Sequence, residues 1–147
     1  MKMNYKNPYV AMKKRHMQEI SDFPMAFAFS DKQFVEGMQK LGLSPQETNL
    51  VYKLGDTGGF YRRTDAPALH EIFYRHQKEL QDAIDADPTG EGFIYDMFAY
   101  ELANHEYSYT QDLKSTLEAL DLSPEDFIKN KKLAHGLKKA IKASQQD

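Results

Sequence analysis

Glu101 and His105 are the two residues of this sequence whose types and spacing best suit acid–base chemistry. They stand four positions apart in residues 91–105, a segment that is apolar nearly all round and predicts a central helix, so they share one helix face. A carboxylate beside an imidazole can form a general base, or two of three metal ligands with His70 or His76 as the third. A polar pair that fills a gap in the core or closes the helix C-terminus is the more common arrangement. We keep Glu101, His105 and His70 as candidate catalytic residues and predict neither a metal site nor a cofactor.

Two short motifs resemble protease signatures but lack the rest of each pattern. His70-Glu71 begins the zinc pattern His-Glu-x-x-His, yet position 74 is a tyrosine and His76 lies about 120° from His70 around a helix. Asp56-Thr57-Gly58 matches the aspartic-protease triplet, yet its glycine-rich surroundings predict a turn or loop. That loop could hold an anion through its backbone, although no P-loop lysine follows.

The elements that must position these residues are mostly helices. Hydrophobic periodicity and capping residues predict about six helices, among them residues 8–22, 30–41, 44–54, 65–86, 91–105 and 132–143. Short alternating segments predict three strands at 25–29, 60–63 and 106–110. The predicted fold class is therefore α+β, mostly helical, with a small sheet. The phenylalanines near the first strand, Phe27 and Phe29 included, are expected to lie mostly in the core.

One unit is repeated within the chain. Residues 25–54 and residues 106–143 both read as a short strand, a capped helix, a Leu-x-Leu-Ser-Pro corner and a second helix. Equivalent parts of a duplicated unit often meet across a pseudo-twofold axis, so we expect residues 26–29 to pair with residues 106–109.

Length and composition suit one domain without disulfides. A chain of 147 residues can bury a core of its own, so residues 1–147 are predicted to form a single domain. There is no cysteine, and no apolar run approaches the ~20 residues of a membrane span. The basic start of the chain is not followed by a signal-type apolar stretch. We therefore expect a cytoplasmic protein that does not enter a membrane.

Charge is strongly segregated along the chain. Residues 80–126 hold twelve acidic residues and only Lys114 as a base, whereas residues 1–20 and 127–147 are basic. The basic ends could fold against the acidic middle, or the two charges could form separate surfaces for partners.

Nucleic acid is the alternative partner that the sequence suggests. The Leu-Gly-Leu-Ser-Pro corner resembles the turn of helix-turn-helix regulators, and lysines follow the second copy of the corner. The acidic middle and a pI of about 5.9 argue against DNA binding.

Three strings resemble a known group of proteins: residues 23–30 continuing to Leu41-Gly42-Leu43, residues 90–94, and residues 104–107. They are similar to a group of short uncharacterised proteins from gut-type bacteria and their phages or mobile elements. The resemblance implies a bacterial or mobile-element setting and transfers no catalytic residue.

Together these features favour a non-catalytic interaction or regulatory protein that binds another protein. In a mobile-element setting the partner could be host machinery such as a CRISPR or other defence nuclease. The alternatives are a DNA-associated regulator and a metal-dependent or His/Glu hydrolytic enzyme. The residues predicted to make contacts are charged or aromatic: Tyr61, Arg62, Arg63, Arg75, Lys131, Lys132, Lys138 and Lys139. No oligomeric state is predicted.

Overall fold

A computed structural model describes residues 7–146, so only residues 1–6 of the basic start of the chain lie outside the described residues. Within them the fold is mostly helical α+β, as predicted, and no helix combines the length and apolar character that a membrane crossing requires. The elements, in chain order, are α1 (Pro8–Ser21), β1 (Ala26–Phe27), α2 (Asp31–Lys40), β2 (Val51–Leu54), β3 (Gly59–Arg62), α3 (Ala66–Ala86), α4 (Phe93–Asn104), α5 (Tyr107–Thr110), α6 (Lys114–Ala119), α7 (Pro124–Lys129) and α8 (Lys131–Ser144).

The chain divides into two compact units. The sheet unit comprises Met17–Gln77, and the helical unit comprises the residues up to His16 together with those from Lys78 onward. The boundaries fall inside α1 and inside α3, so each of these helices contributes residues to both units.

The sheet unit contains a three-stranded antiparallel sheet of order β1-β3-β2, and side chains pack on both of its faces. Alternation along β3 sends Phe60 to one face and Tyr61 to the other. Phe60 packs with Ala26 of β1, with Met38 of α2 and with Leu41, the residue that follows α2. The opposite face packs a second cluster of apolar residues: Met25, Tyr61, Ala66 and Leu69.

Helix α4 is the centre of the helical unit, as its apolar sequence predicts. Ile94, Met97 and Phe98 are fully buried within the core of that unit. The N-terminus of α4 is capped from a distance by Asp87, whose carboxylate accepts hydrogen bonds from four backbone N–H groups, those of Thr89, Gly90, Gly92 and Ile94. These bonds satisfy donors that a helix start leaves without intrahelical partners.

The predicted strand at 106–110 is wrong. Residues Tyr107–Thr110 form one helical turn, α5, flanked by Glu106 and Gln111 in the left-handed region with φ of 56° and 57°. The expected pairing of residues 26–29 with 106–109 is therefore wrong as well. Strand β1 pairs instead with β3, with Ala26 opposite Phe60, and it covers only two residues of the predicted 25–29.

The predicted helix at 44–54 is also wrong. After a turn, Thr48–Leu50 forms a short 3₁₀ helix and Val51–Leu54 forms β2, which pairs with β3 as a hairpin. The glycine-rich segment 55–58 is the hairpin turn, as its composition predicts.

Of the repeated unit, the structure shows the corner that ends the first helix in both copies. Gly42 and Asp121 occupy the same left-handed position after their helices, with φ of 78° and 54°. The next residue in each copy donates its N–H to the carbonyl five positions back, at 2.9 Å for Leu43 and 3.0 Å for Leu122. Each copy thus ends its helix with a Schellman motif. The predicted second helix follows this corner only in the second copy, as α7.

A buried carboxylate and an exposed apolar surface as candidate sites

Glu101 is the most buried charged residue among those described, with 1% of its surface exposed. Its Oε2 accepts a hydrogen bond from the Tyr9 hydroxyl and lies 2.7 Å from the Lys13 ammonium nitrogen. Burial, followed by the bond to the Glu101 carboxylate, raises the pKa of Tyr9 well above its ordinary range. These contacts connect α1 to α4 within the helical unit.

The Lys13 ammonium also contacts two aromatic rings. Its nitrogen lies 5.9 Å from the ring centre of Tyr9 and 5.2 Å from that of Tyr100. Cation–π contacts of this kind add to the charge pairing with Glu101. The arrangement stabilises a buried carboxylate, because its charge is compensated on one side by a cation and a hydroxyl donor.

The structure brings His105 to Glu101, as their spacing predicts. The His105 Nε2 lies 3.4 Å from the Glu101 Oε1, and neither of these two buried atoms has a hydrogen-bond partner among the described residues. The Glu101 carboxylate is enclosed by protein, so a reacting substrate would have to displace packed side chains to reach it. The catalytic role of the pair stays a prediction.

His70 is exposed on α3 in the sheet unit, whereas the Nε2 of His76 lies 2.8 Å from the Glu19 carboxylate. Within residues 7–146 no three His, Cys, Asp or Glu side chains cluster closely enough to hold a metal ion.

Glu19 and Glu79 make ion-pair clusters that the sequence analysis missed. Glu19 accepts from Arg75 at 2.6 Å and from His76, and these two bonds lower its pKa to about 2. In the helical unit Glu79 accepts from Arg15 and His16 at 2.7 and 2.8 Å, which lowers its pKa to about 2 in the same way. The signal was the string Arg-His-x-x-Glu, which occurs at residues 15–19 and again at residues 75–79.

The predicted contact residues of the sheet unit are largely occupied within the fold. Tyr61 is 6% exposed and belongs to a core cluster. Arg62 bonds Asp65 and the Leu41 carbonyl, and the Arg63 guanidinium stacks 4.7 Å from the ring centre of Tyr52.

The lysine-rich helix α8 folds against the acidic middle of the chain. The Lys132 ammonium donates to the Asp87 carbonyl at 2.5 Å, and Lys139 lies 3.4 Å from the Glu91 carboxylate. His135 contacts the same carboxylate at 2.7 Å. Lys131 and Lys138 are exposed on this helix. The basic end thus folds against the acidic middle through several direct contacts.

Exposed apolar side chains are concentrated in the sheet unit. Seven of the nine large apolar residues that the described structure exposes belong to it: Met17, Phe27, Phe29, Leu50, Tyr52, Phe73 and Tyr74. Phe29 is 76% exposed and Phe27 is 55% exposed, which corrects the expectation that both lie in the core. Alternation could not reveal this, because β1 spans only Ala26–Phe27 at the edge of the sheet and Phe29 lies beyond its end.

A pocket of about 580 Å³, here called the hairpin pocket, opens on the α2 face of the sheet. Its walls combine apolar side chains with the glycine-rich turn and two charged side chains: Ala28, Phe34, Thr48, Val51, Lys53, Gly55, Asp56, Gly58, Gly59 and Phe60. The exposed Phe29 lies at its edge, with its ring so close to Gly58 that a Cβ there would lie 2.6 Å from it.

Comparison with known proteins gives one match. No curated protein and no solved structure matches the chain significantly. A family model, described as a family of unknown function (DUF7659), matches residues 8–143. The match confirms the predicted kinship with an uncharacterised family, whereas the bacterial or phage setting stays a prediction. Because the matched residues include nearly every element of both units, the chain belongs to this family.

Proposed function

We propose that this protein is a non-catalytic interaction protein that binds another protein through its sheet unit. The observation that carries the proposal is the concentration of exposed aromatic residues in the sheet unit: Phe29 lies at the edge of the hairpin pocket, and Phe27 and Tyr52 point to the opposite face of the sheet. A concentration of exposed large apolar side chains within one unit of a protein often marks a contact site. Aromatic side chains at a pocket edge are also the residues that most often dominate binding energy.

The charged contacts support this choice over DNA binding. Lys132 and Lys139, both predicted to contact a partner, are engaged by the acidic middle of the chain, which leaves fewer cations for phosphates. The cytoplasmic location belongs to the proposal through the composition of the chain, and the mobile-element setting and host defence machinery as the target belong to it through the resemblance alone.

A tagged pull-down from native lysate, treated with nuclease and read by mass spectrometry, tests the proposal. We expect a partner that survives nuclease and is lost by ~10-fold or more with Phe29→Ser or Phe27→Ser, because removing an aromatic anchor costs that much in affinity. Tyr109→Ser and Ile128→Ser are the matched controls, since these residues are 86% and 76% exposed but lie in the helical unit. Equal capture by the Phe29 variant and the controls, or loss of every partner with nuclease, would contradict the proposal.

A further inference from the structure

Strand β2 is an open edge of the sheet. In the order β1-β3-β2 it is the outer strand, and within residues 7–146 its only strand partner is β3. Tyr52 and Lys53 at its centre are both exposed, and the strand contains no proline. An outer strand of this kind presents main-chain donors and acceptors along its free side, which an extended chain can pair with.

The hairpin pocket lies on the face that an added strand would extend. Val51 and Lys53 of β2 both line it, so both side chains point to the α2 face. Residues opposite each other on paired strands share a face. A residue paired with Val51 or Lys53 would therefore direct its side chain toward the apolar wall of the pocket, formed by Phe34 and Phe60.

We infer that the partner binds by strand addition: an extended acidic segment pairs with the free edge of β2 and places an apolar side chain in the hairpin pocket. This inference rests on the proposed function and specifies the chemistry of its partner. A volume of about 580 Å³ accommodates a large side chain such as phenylalanine or leucine.

Charge around the edge selects an acidic segment. Residues 48–63 hold three basic residues and one acidic residue; because Arg62 is paired with Asp65, the exposed cations are Lys53 and Arg63. The exposed Lys53 lies on the pocket face, and Arg63 stacks over Tyr52, which alternation places on the opposite face. An acidic residue next to the apolar anchor would face Arg63 on the opposite face, and an acidic residue two positions from the anchor would face Lys53 on the pocket face.

The same cations argue against a second copy of this chain as the occupant. Antiparallel pairing of two β2 strands would place the two Lys53 side chains at opposite or diagonal positions, where like charges destabilise the pairing. The occupant is therefore an acidic segment of another protein.

Selection from a random dodecapeptide library on the immobilised full chain tests the inference. We expect enriched peptides that carry one apolar anchor with acidic residues one and two positions from it, with ~10-fold weaker binding to Lys53→Glu and to the pocket-filling variant Ala28→Met. Tyr109→Ser is the control that should bind as the unmodified chain does. With an enriched peptide bound, hydrogen exchange of Val51–Leu54 amides should slow by ~10-fold or more, because added main-chain hydrogen bonds protect them.

The inference is overturned if no peptide is enriched, if enriched peptides are basic, or if they bind without protecting β2. Lys53→Glu keeps the test independent of folding defects, because it changes an exposed side chain only. The two proposals fail separately. A partner that is lost with Phe29→Ser but retained with Lys53→Glu would leave the proposed function standing and remove the acidic segment inferred here.

Discussion

At the residue scale, Glu101 shows how this fold accommodates a charge in its core. Its carboxylate lies against the Lys13 ammonium and the Tyr9 hydroxyl, so removing it leaves a buried hydroxyl without an acceptor and a cation without its partner. We expect Glu101→Ala to lower the free energy of unfolding by about 3 kcal/mol, because breaking a buried pair from one side costs that much. Urea unfolding followed by circular dichroism measures the change.

Glu118→Ala is the control for Glu101→Ala, since Glu118 is an exposed helical glutamate of the same unit. Its removal should change stability by less than about 0.5 kcal/mol. A Glu101 variant as stable as the Glu118 variant would show that the buried pairing contributes nothing net.

Asp87 links stability to pH. Burial disfavours its charged form, but hydrogen bonds from the backbone of Ile94, Gly90, Thr89 and Gly92 outweigh burial and lower its pKa. Because the folded pKa lies below the unfolded value of about 3.9, the stabilisation is fully present above that value and is lost as the pH falls through the folded pKa.

We therefore expect Asp87→Asn to cost about 2 kcal/mol at pH 7, since charged acceptors bind backbone N–H groups more strongly than amides do. The variant should also lose less stability than the unmodified chain between about pH 5 and pH 3. Unfolding free energies across this range test both expectations, with the exposed Asp85→Asn as control. If the unfolding free energies of the Asp87 variant and the unmodified chain fell equally as the pH is lowered over this range, the linkage would be refuted.

At the element scale, the repeated corner gives a prediction that compares its two copies. Gly42 and Asp121 hold equivalent left-handed positions, but a side chain makes that conformation costly for Asp121. We expect Asp121→Gly to stabilise the protein by about 0.5–1 kcal/mol, and Gly42→Asp to destabilise it by a similar amount, because no atom lies within 4 Å of a Cβ at Gly42. Thermal unfolding of the two variants measures both signs. Changes of the same sign would show that the corners are not equivalent.

The long helices could be predicted from the sequence, whereas the short elements could not. Helices α1, α3 and α4 run for twelve residues or more, so their apolar periodicity is repeated several times. Residues 107–110 alternate like a strand, but four residues fit one helical turn equally well. In β2, Val51 and Leu54 are three apart and suit a helix face, although pairing with β3 decides the outcome.

At the candidate sites, too, some contacts could be predicted from the sequence and others could not. The Glu101–His105 proximity follows from helical spacing and was predicted from the sequence. Tyr9 and Lys13 lie about ninety residues earlier in the chain, and only the packing of α1 near α4 brings them to the carboxylate. The exposure of Phe29 was equally beyond the sequence, because it depends on which side chains the tertiary structure leaves uncovered.

At the scale of the whole molecule, two helices belong to both compact units. In α1, Met12 belongs to the helical unit, whereas Ile20 packs in the core of the sheet unit. In α3, Leu69 is buried in the sheet unit and Ile84 in the helical unit. Unfolding of either unit would therefore unwind part of a helix on which the other depends. This continuity favours the single cooperative domain that the chain length predicts.

We expect one unfolding transition, and tryptophan probes can test it because the chain has none of its own. Phe127→Trp reports on the helical unit, where Phe127 stacks on Phe98, and Phe34→Trp reports on the sheet unit, where Phe34 packs against Phe60. In urea, the fluorescence midpoint of each variant should coincide with the midpoint of its own circular dichroism transition, within about 0.2 M. Comparing the two signals within one variant removes any effect of the substitution on stability. If the fluorescence midpoint of either variant differed clearly from its circular dichroism midpoint, the two units would unfold independently, despite the helices that both contain.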